Sequence, residues 1–100
     1  MIIHNTTFAV EQHIFDDFHK WLETVYIKAA MATGIFTSHR IARVLTDEHP
    51  EIVSIACELR AESLSECVRW HDETAVLLHA NMNELWGEKA MFFTTYLKEI

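Results

Sequence analysis

Three residues carry most of the turn chemistry in this 100-residue chain: Gly34, Gly87 and Pro50. Sharp bends usually need glycine or proline, so a chain with two of one and one of the other is built from long regular elements. Gly34 and Gly87 each follow a long helical pattern, where a residue without Cβ closes a helix in the left-handed region. Both are therefore expected at positive φ. Pro50 lies in Thr46-Asp47-Glu48-His49-Pro50-Glu51, the most polar short stretch outside the helices, which is expected to turn. These marks divide the chain into strand, helix, strand, strand, helix, strand, with no internal repeat or low-complexity segment.

The first helix is expected from about Glu11 to Thr33. Ile14, Phe15, Phe18, Trp21, Leu22, Val25 and Ala29 recur at spacings of three and four, one face of a helix, with Asp16, Asp17, Lys20 and Glu23 on the other. The second begins near Ser63, with Glu66 three residues later as in a capping box. Its inward row reads Leu64, Cys67, His71, Ala75, Leu78, Met82 and Leu85. Strands are expected over Ile2–Val10, Ile35–Leu45, Ile52–Arg60 and Ala90–Leu97. Val53, Ile55, Cys57 and Leu59 alternate with Ile52, Ser54, Ala56 and Glu58, and the last strand is apolar on both faces.

Connections between parallel strands through a helix are almost always right-handed. Two such units joined by a hairpin put both helices on one face of a four-stranded antiparallel sheet. The expected fold is α+β, a ferredoxin-like βαββαβ domain spanning 1–100 as one unit. The other sheet face, with Ile3, Asn5, Thr7, Ala9, Ser38, Arg40, Ser54, Ala56 and one of Phe92 or Phe93, has no cover within the chain. So large a semi-apolar patch is unusual on a monomer, and a homodimer packed sheet to sheet is expected.

Charge narrows the partners. Eight Lys and Arg against fifteen Asp and Glu give a net charge of −7, which argues against nucleic acid or an anionic membrane surface. No apolar run approaches the ~20 residues of a membrane helix, and the start of the chain has no signal-peptide character. Cys57 and Cys67 are too few for a disulfide framework and lack metal-ligand spacing, so a cytoplasmic location is expected.

Seven histidines make metal binding worth testing. His13 with Asp17 and His19 with Glu23 are four apart on the first helix, a pattern that solvated helix faces produce freely. His71 and His79 are eight apart, too far for one helical face, and no third ligand follows from spacing. His71 reads as a hydrogen-bonded core histidine. Buried Cys57 and Cys67 would be inert thiols. Two glycines cannot build a phosphate loop. Trp21, Trp70, Trp86, Tyr26 and Tyr96 could line an apolar pocket or form plain core.

Met1-Ile2-Ile3-His4-Asn5, Trp21-Leu22, Ala32-Thr33-Gly34-Ile35-Phe36, Ser63-Leu64, Trp86-Gly87, and Phe93 with Thr95 occur in an order and spacing that span the chain. Together they resemble a bacterial family of about one hundred residues, a domain of unknown function, similar in fold to the dimeric α/β-barrel monooxygenases of the antibiotic-biosynthesis type. The chain departs from that family's pattern at three places. His-Ile-Pro is Tyr26-Ile27-Lys28, His-Ala-Pro is Thr74-Ala75-Val76, and the Arg of Phe-Arg-Thr is Thr94. The resemblance therefore implies fold and dimer but no catalytic residue at those positions. Asn5, Trp70 and His79 also resemble the Asn, Trp and His set of haem-degrading monooxygenases, with a Trp-to-His spacing one residue short. The plainer reading is a half-buried Trp and a surface His on an amphipathic helix. Two function classes stay open. One is a homodimer that binds a small apolar ligand, with Asn5, Trp70, His71, His79 and Tyr96 as pocket candidates. The other is a monooxygenase, cofactorless or haem-degrading. Neither a cofactor nor a structural metal is expected.

Overall fold

A computed structural model describes residues 1–45 and 50–100. Four strands, β1 (Ile2–Glu11), β2 (Phe36–Val44), β3 (Ile52–Ala61) and β4 (Ala90–Lys98), form one sheet in the order β2-β3-β1-β4. Every neighbouring pair is antiparallel. Helices α1 (15–32) and α2 (64–86) pack on one face, which is the ferredoxin-like arrangement. The turn expected between β2 and β3 falls mainly on residues 46–49, outside the described residues, and Pro50 and Glu51 lie in turn conformation. Strand boundaries match those read from the sequence to within one residue at each end. A 3₁₀ turn over Gln12–Ile14 precedes α1 in place of the expected earlier α-helical start.

The helix ends follow local chemistry. Ser63 caps α2, its Oγ accepting a hydrogen bond from the Glu66 backbone N–H at 3.2 Å. Gly34 sits at φ +76 beyond α1, and Gly87 at φ +56 and ψ −133 beyond α2. An added Cβ would meet nothing within 4 Å at either glycine, so a substitution there costs backbone strain alone. Gly34→Val should lower unfolding stability by roughly 1 kcal/mol or more. A denaturation midpoint unchanged by Gly34→Val would remove the left-handed helix end from that position.

The inward rows of both helices differ from their sequence periodicity, for one shared reason. In α1 the α-helical parts Phe15–Trp21 and Lys28–Ala32 flank a π-helical part, Leu22–Ile27. In α2, Leu64–Trp70 and Val76–Trp86 flank a π-helical part, His71–Ala75. A π bulge puts one extra residue into a turn. Beyond it the buried row therefore slips by one. Val25 is exposed while Tyr26 is buried, and Ala30 is buried where Ala29 was expected. In α2 beyond the bulge, His79 points inward and Leu85 is exposed, while Met82 keeps its expected inward place; Leu64, ahead of the bulge at the helix start, is exposed as well.

On the helix-facing side β1 contributes His4, Thr6, Phe8 and Val10, all buried, against Val53, Ile55, Cys57 and Leu59 of β3. The core then fills with Phe18, Trp21, Leu22, Tyr26, Trp70 and Met82. Trp21 Nε1 donates to Asn81 Oδ1 at 2.8 Å and ties the two helices together.

The opposite face is a grid fixed by the register. One line across the strands reads Val44, Ser54, Ala9 and Met91, and the next Ala42, Ala56, Thr7 and Phe93. Two further lines read Arg40, Glu58, Asn5 and Thr95, then Ser38, Arg60, Ile3 and Leu97. The register thus decides that Phe93 belongs to this face and Phe92 to the helix side. Met91 is 64% exposed and Phe93 60%. Arg40 Nη2 donates to both Glu58 oxygens at 3.0 and 3.1 Å, and Arg60 pairs with Glu99.

Candidate functional site

The helix-facing ends of β1 and β4 are polar where the rest of the core is not. His4 stands directly opposite Tyr96 in the register, and Thr6 opposite Thr94. His4 Nε2 lies 2.9 Å from His71 Nδ1, and Thr6 Oγ1 lies 2.9 Å from Thr94 Oγ1. Tyr26 Oη lies 3.4 Å from His79 Nε2. The His79 ring is stacked on Phe92 at 3.8 Å and on Tyr26 at 5.7 Å. Trp70 meets His4 edge to face at 5.3 Å, and Tyr96 does the same at 5.5 Å.

The paired π segments make this convergence. Two α-helical turns take about 7.2 residues, so residues eight apart diverge around the axis. One extra residue in a turn closes the spacing to about eight, which restores His71 and His79 to one face. Their ring centroids are 5.9 Å apart, against the sequence expectation that eight residues are too many. The expectation of a surface His79 and a half-buried Trp70 is likewise corrected, since His79 is 6% exposed and Trp70 is buried.

Burial sets the proton state. Removal from water pushes the His4 imidazole down to about 4, with the His71 and His79 rings opposing a second positive charge. Burial and the neighbouring His71 push His79 down to about 4 as well. Both rings are neutral at pH 7. His4 Nδ1 and Trp70 Nε1 are buried without a partner among the described residues. One proton is shared along the line between His4 Nε2 and His71 Nδ1, and which ring donates depends on the tautomer. Burial raises both the Tyr26 and the Tyr96 phenol above the usual range, so each stays a hydroxyl. Cys57 and Cys67 are buried free thiols pushed up to about 12 and about 11, unreactive at neutral pH.

Helix α2 leaves the outer part of β4 uncovered. Phe92 is 40% exposed and Tyr96 39%, although both face the helix side. They lie along the margin between α2 and β4, Tyr96 with its ring centroid 6.1 Å from that of His71 and Phe92 stacked on His79. At the Phe92 end a cleft of about 300 Å³ is lined by Met82, Asn83, Gly87, Glu88, Ala90, Met91 and Phe92. A separate cleft of about 380 Å³ on the bare sheet face is bordered by the Arg40–Glu58 and Arg60–Glu99 pairs.

Of the residues singled out from the sequence, Trp70, His71, His79 and Tyr96 come together here. Asn5 does not: it faces the other side of the sheet, where its Nδ2 donates to Thr95 Oγ1 at 3.3 Å. The Asn, Trp and His set of a haem site is therefore not assembled, and Phe92 and Tyr26 occupy both faces of the His79 ring. His4 and Thr6 were missed, and Tyr26 was named only among aromatics that could line a pocket or form plain core. Strand alternation with Phe8 and Val10 is the signal that places His4 and Thr6 inward. Tyr26 and Thr94, two of the three departures from the family pattern, also lie in this cluster. Among the described residues no group of three His, Cys, Asp or Glu side chains is arranged to hold a metal ion, and no helix is long and apolar enough to cross a membrane.

Residues 1–100 match a family described as DUF4286, domain of unknown function. No curated protein matches the chain. A crystal structure of a dimeric ferredoxin-like protein from an uncultured marine organism is similar over 99% of this chain and 98% of its own, at 15% identity and a TM-score of 0.52. At that identity the likeness speaks for the fold.

Proposed function

This chain belongs to the DUF4286 family, and we propose that it is a one-domain cytoplasmic homodimer that binds a small, mostly apolar ligand along the margin between α2 and β4. The observation that carries the ligand reading is the exposure of Phe92 and Tyr96 on the helix-facing side of β4, beside imidazoles held neutral. An exposed aromatic wall next to a few oriented polar groups is the usual makeup of a small-molecule site. The Tyr96 hydroxyl stays protonated and is a donor, so the ligand presents an acceptor such as a carbonyl oxygen. The two free, buried thiols fit a reducing compartment.

Acetophenone is a suitable probe, a flat apolar ring with one carbonyl. It should give saturable shifts of the His71, His79 and Tyr96 ring resonances in NMR titration. Ethylbenzene, which lacks the acceptor, should bind roughly 5- to 10-fold more weakly. Equal affinity for the two, or no saturation by either, would overturn the site. A monooxygenase reading needs a base or a haem ligand in this cluster. Asn5 stands across the sheet from Trp70 and His79, and Tyr26 and Phe92 are stacked on the His79 ring, so the haem-degrading form of that reading draws no support here.

The dimer reading rests on the bare sheet face. Met91, Phe93 and Leu97 stand exposed there in one column. Four strands at ~4.8 Å spacing, each about nine residues long, present about 600 Å² of flat sheet before side-chain relief is counted. That approaches the roughly 800 Å² per partner of a stable interface. The similar marine protein is described as dimeric, which agrees.

A further inference from the structure

The bare face is uneven, and its unevenness selects one way for two copies to meet. Its large side chains, Phe93 and Met91, stand on β4, while the same two lines of the grid end on β2 with Ala42 and Val44. Charge is segregated too, since Arg40, Glu58 and Arg60 occupy the other two lines. Resting on the dimer reading above, we propose that the two-fold axis runs along the strands, so that β4 of each copy lies over β2 of the other and Phe93 seats on the partner's Ala42.

Face-to-face sheets can pair about a two-fold axis that runs either along the strands or across them. Across them, every strand would lie reversed over its own copy. Phe93 would then meet a second β4, with large side chains stacked at one edge and small ones facing each other at the far edge. Along the strands, each line meets the same line of the partner. Phe93 and Met91 then meet the partner's Ala42 and Val44, Glu58 lies over its Asn5, Arg60 over its Ile3, and Ala56 of β3 over its Thr7. Of the two arrangements, this one pairs large side chains with smaller ones, as dense packing requires.

A size exchange tests the register. Ala42 and Phe93 lie on opposite edge strands of one sheet, so neither can compensate the other within a single chain. Phe93→Ala and Ala42→Phe should each weaken the dimer at least about 100-fold by sedimentation, because each acts twice per two-fold interface. The double variant should return to within about threefold of the unmodified dimer. Circular dichroism checks that each variant is folded. If Ala42→Phe is not, Ala42→Leu with Phe93→Ala repeats the exchange with a smaller group. A double variant weaker than either single overturns this register and favours β4 over β4. A monomer of 11.7 kDa for the unmodified chain overturns the dimer reading itself.

Discussion

Ala56→Glu should abolish the dimer. Ala56 lies on the bare face between Ala42 and Thr7, on one of the two central strands. A carboxylate there would enter the interface twice, once from each copy, with no cation in its line of the grid. Uncompensated buried charge costs about 3–5 kcal/mol per site, which removes three or more orders of magnitude from an association constant. Sedimentation should show a folded monomer, because the exposed face of a lone sheet tolerates glutamate. Glu58 already occupies that face, paired with Arg40. Ala56→Ser, which adds a small hydroxyl and no charge, should cost far less. If Ala56→Glu remains dimeric at micromolar concentration, this face is not the interface.

Acid should lower the stability of the protein well above the carboxylate range. His4 and His79 are held at about 4, against an ordinary value of 6.5 for a histidine free in the unfolded chain. Between pH 6.5 and about 4 the unfolded state takes up protons that the folded state resists. Stability contributed by these two neutral rings is present above pH 6.5 and is lost as pH falls toward 4. Each ring should withdraw on the order of 2–3 kcal/mol, and the pair somewhat less than the sum because both sense His71. Against a total of ~5–15 kcal/mol for a domain, that is a large share. Urea midpoints at one protein concentration should fall steeply from pH 7.5 to pH 5. His79→Leu should flatten about half of that fall. Equal midpoints at the two pH values would contradict the burial of these rings as neutral groups.

The fold was legible because its signals are local. Alternation along β3 and the capping serine at Ser63 mark their elements without help from distant residues, and Gly34 and Gly87 mark the helix ends in the same way. The bare sheet face followed from connectivity alone. The candidate site was harder because it depends on rotation about the helix axis. Periodicity of 3.6 placed Val25 and Leu85 inward, and each was displaced once a turn took an extra residue, while Leu78 stays partly buried against the core. His79 therefore read as a surface residue. Asn5 was singled out by its resemblance to the Asn, Trp and His set, although its expected place was already the bare sheet face, and alternation along β1 gives the inward place to His4. Nothing in the local sequence of Leu22–Ile27 or His71–Ala75 announces a widened turn, since the reason for it lies in the opposing helix and sheet.

The widened turn in α2 also bears on how this chain can vary in length. A π-helical turn takes up one residue more than an α-helical turn within the same sweep. Removing exposed Asp72 or Glu73 would let the helix regain regular i to i+4 bonding, and His71 and His79 would then stand seven apart, close to two full turns. His79, Met82 and Trp86 would keep their side of the helix. Removing one residue from the α-helical Val76–Trp86 has no such outlet, and everything beyond the deletion would swing through about 100°. The two widened turns are therefore the places in the helices where the chain can shorten by one residue and keep its interior.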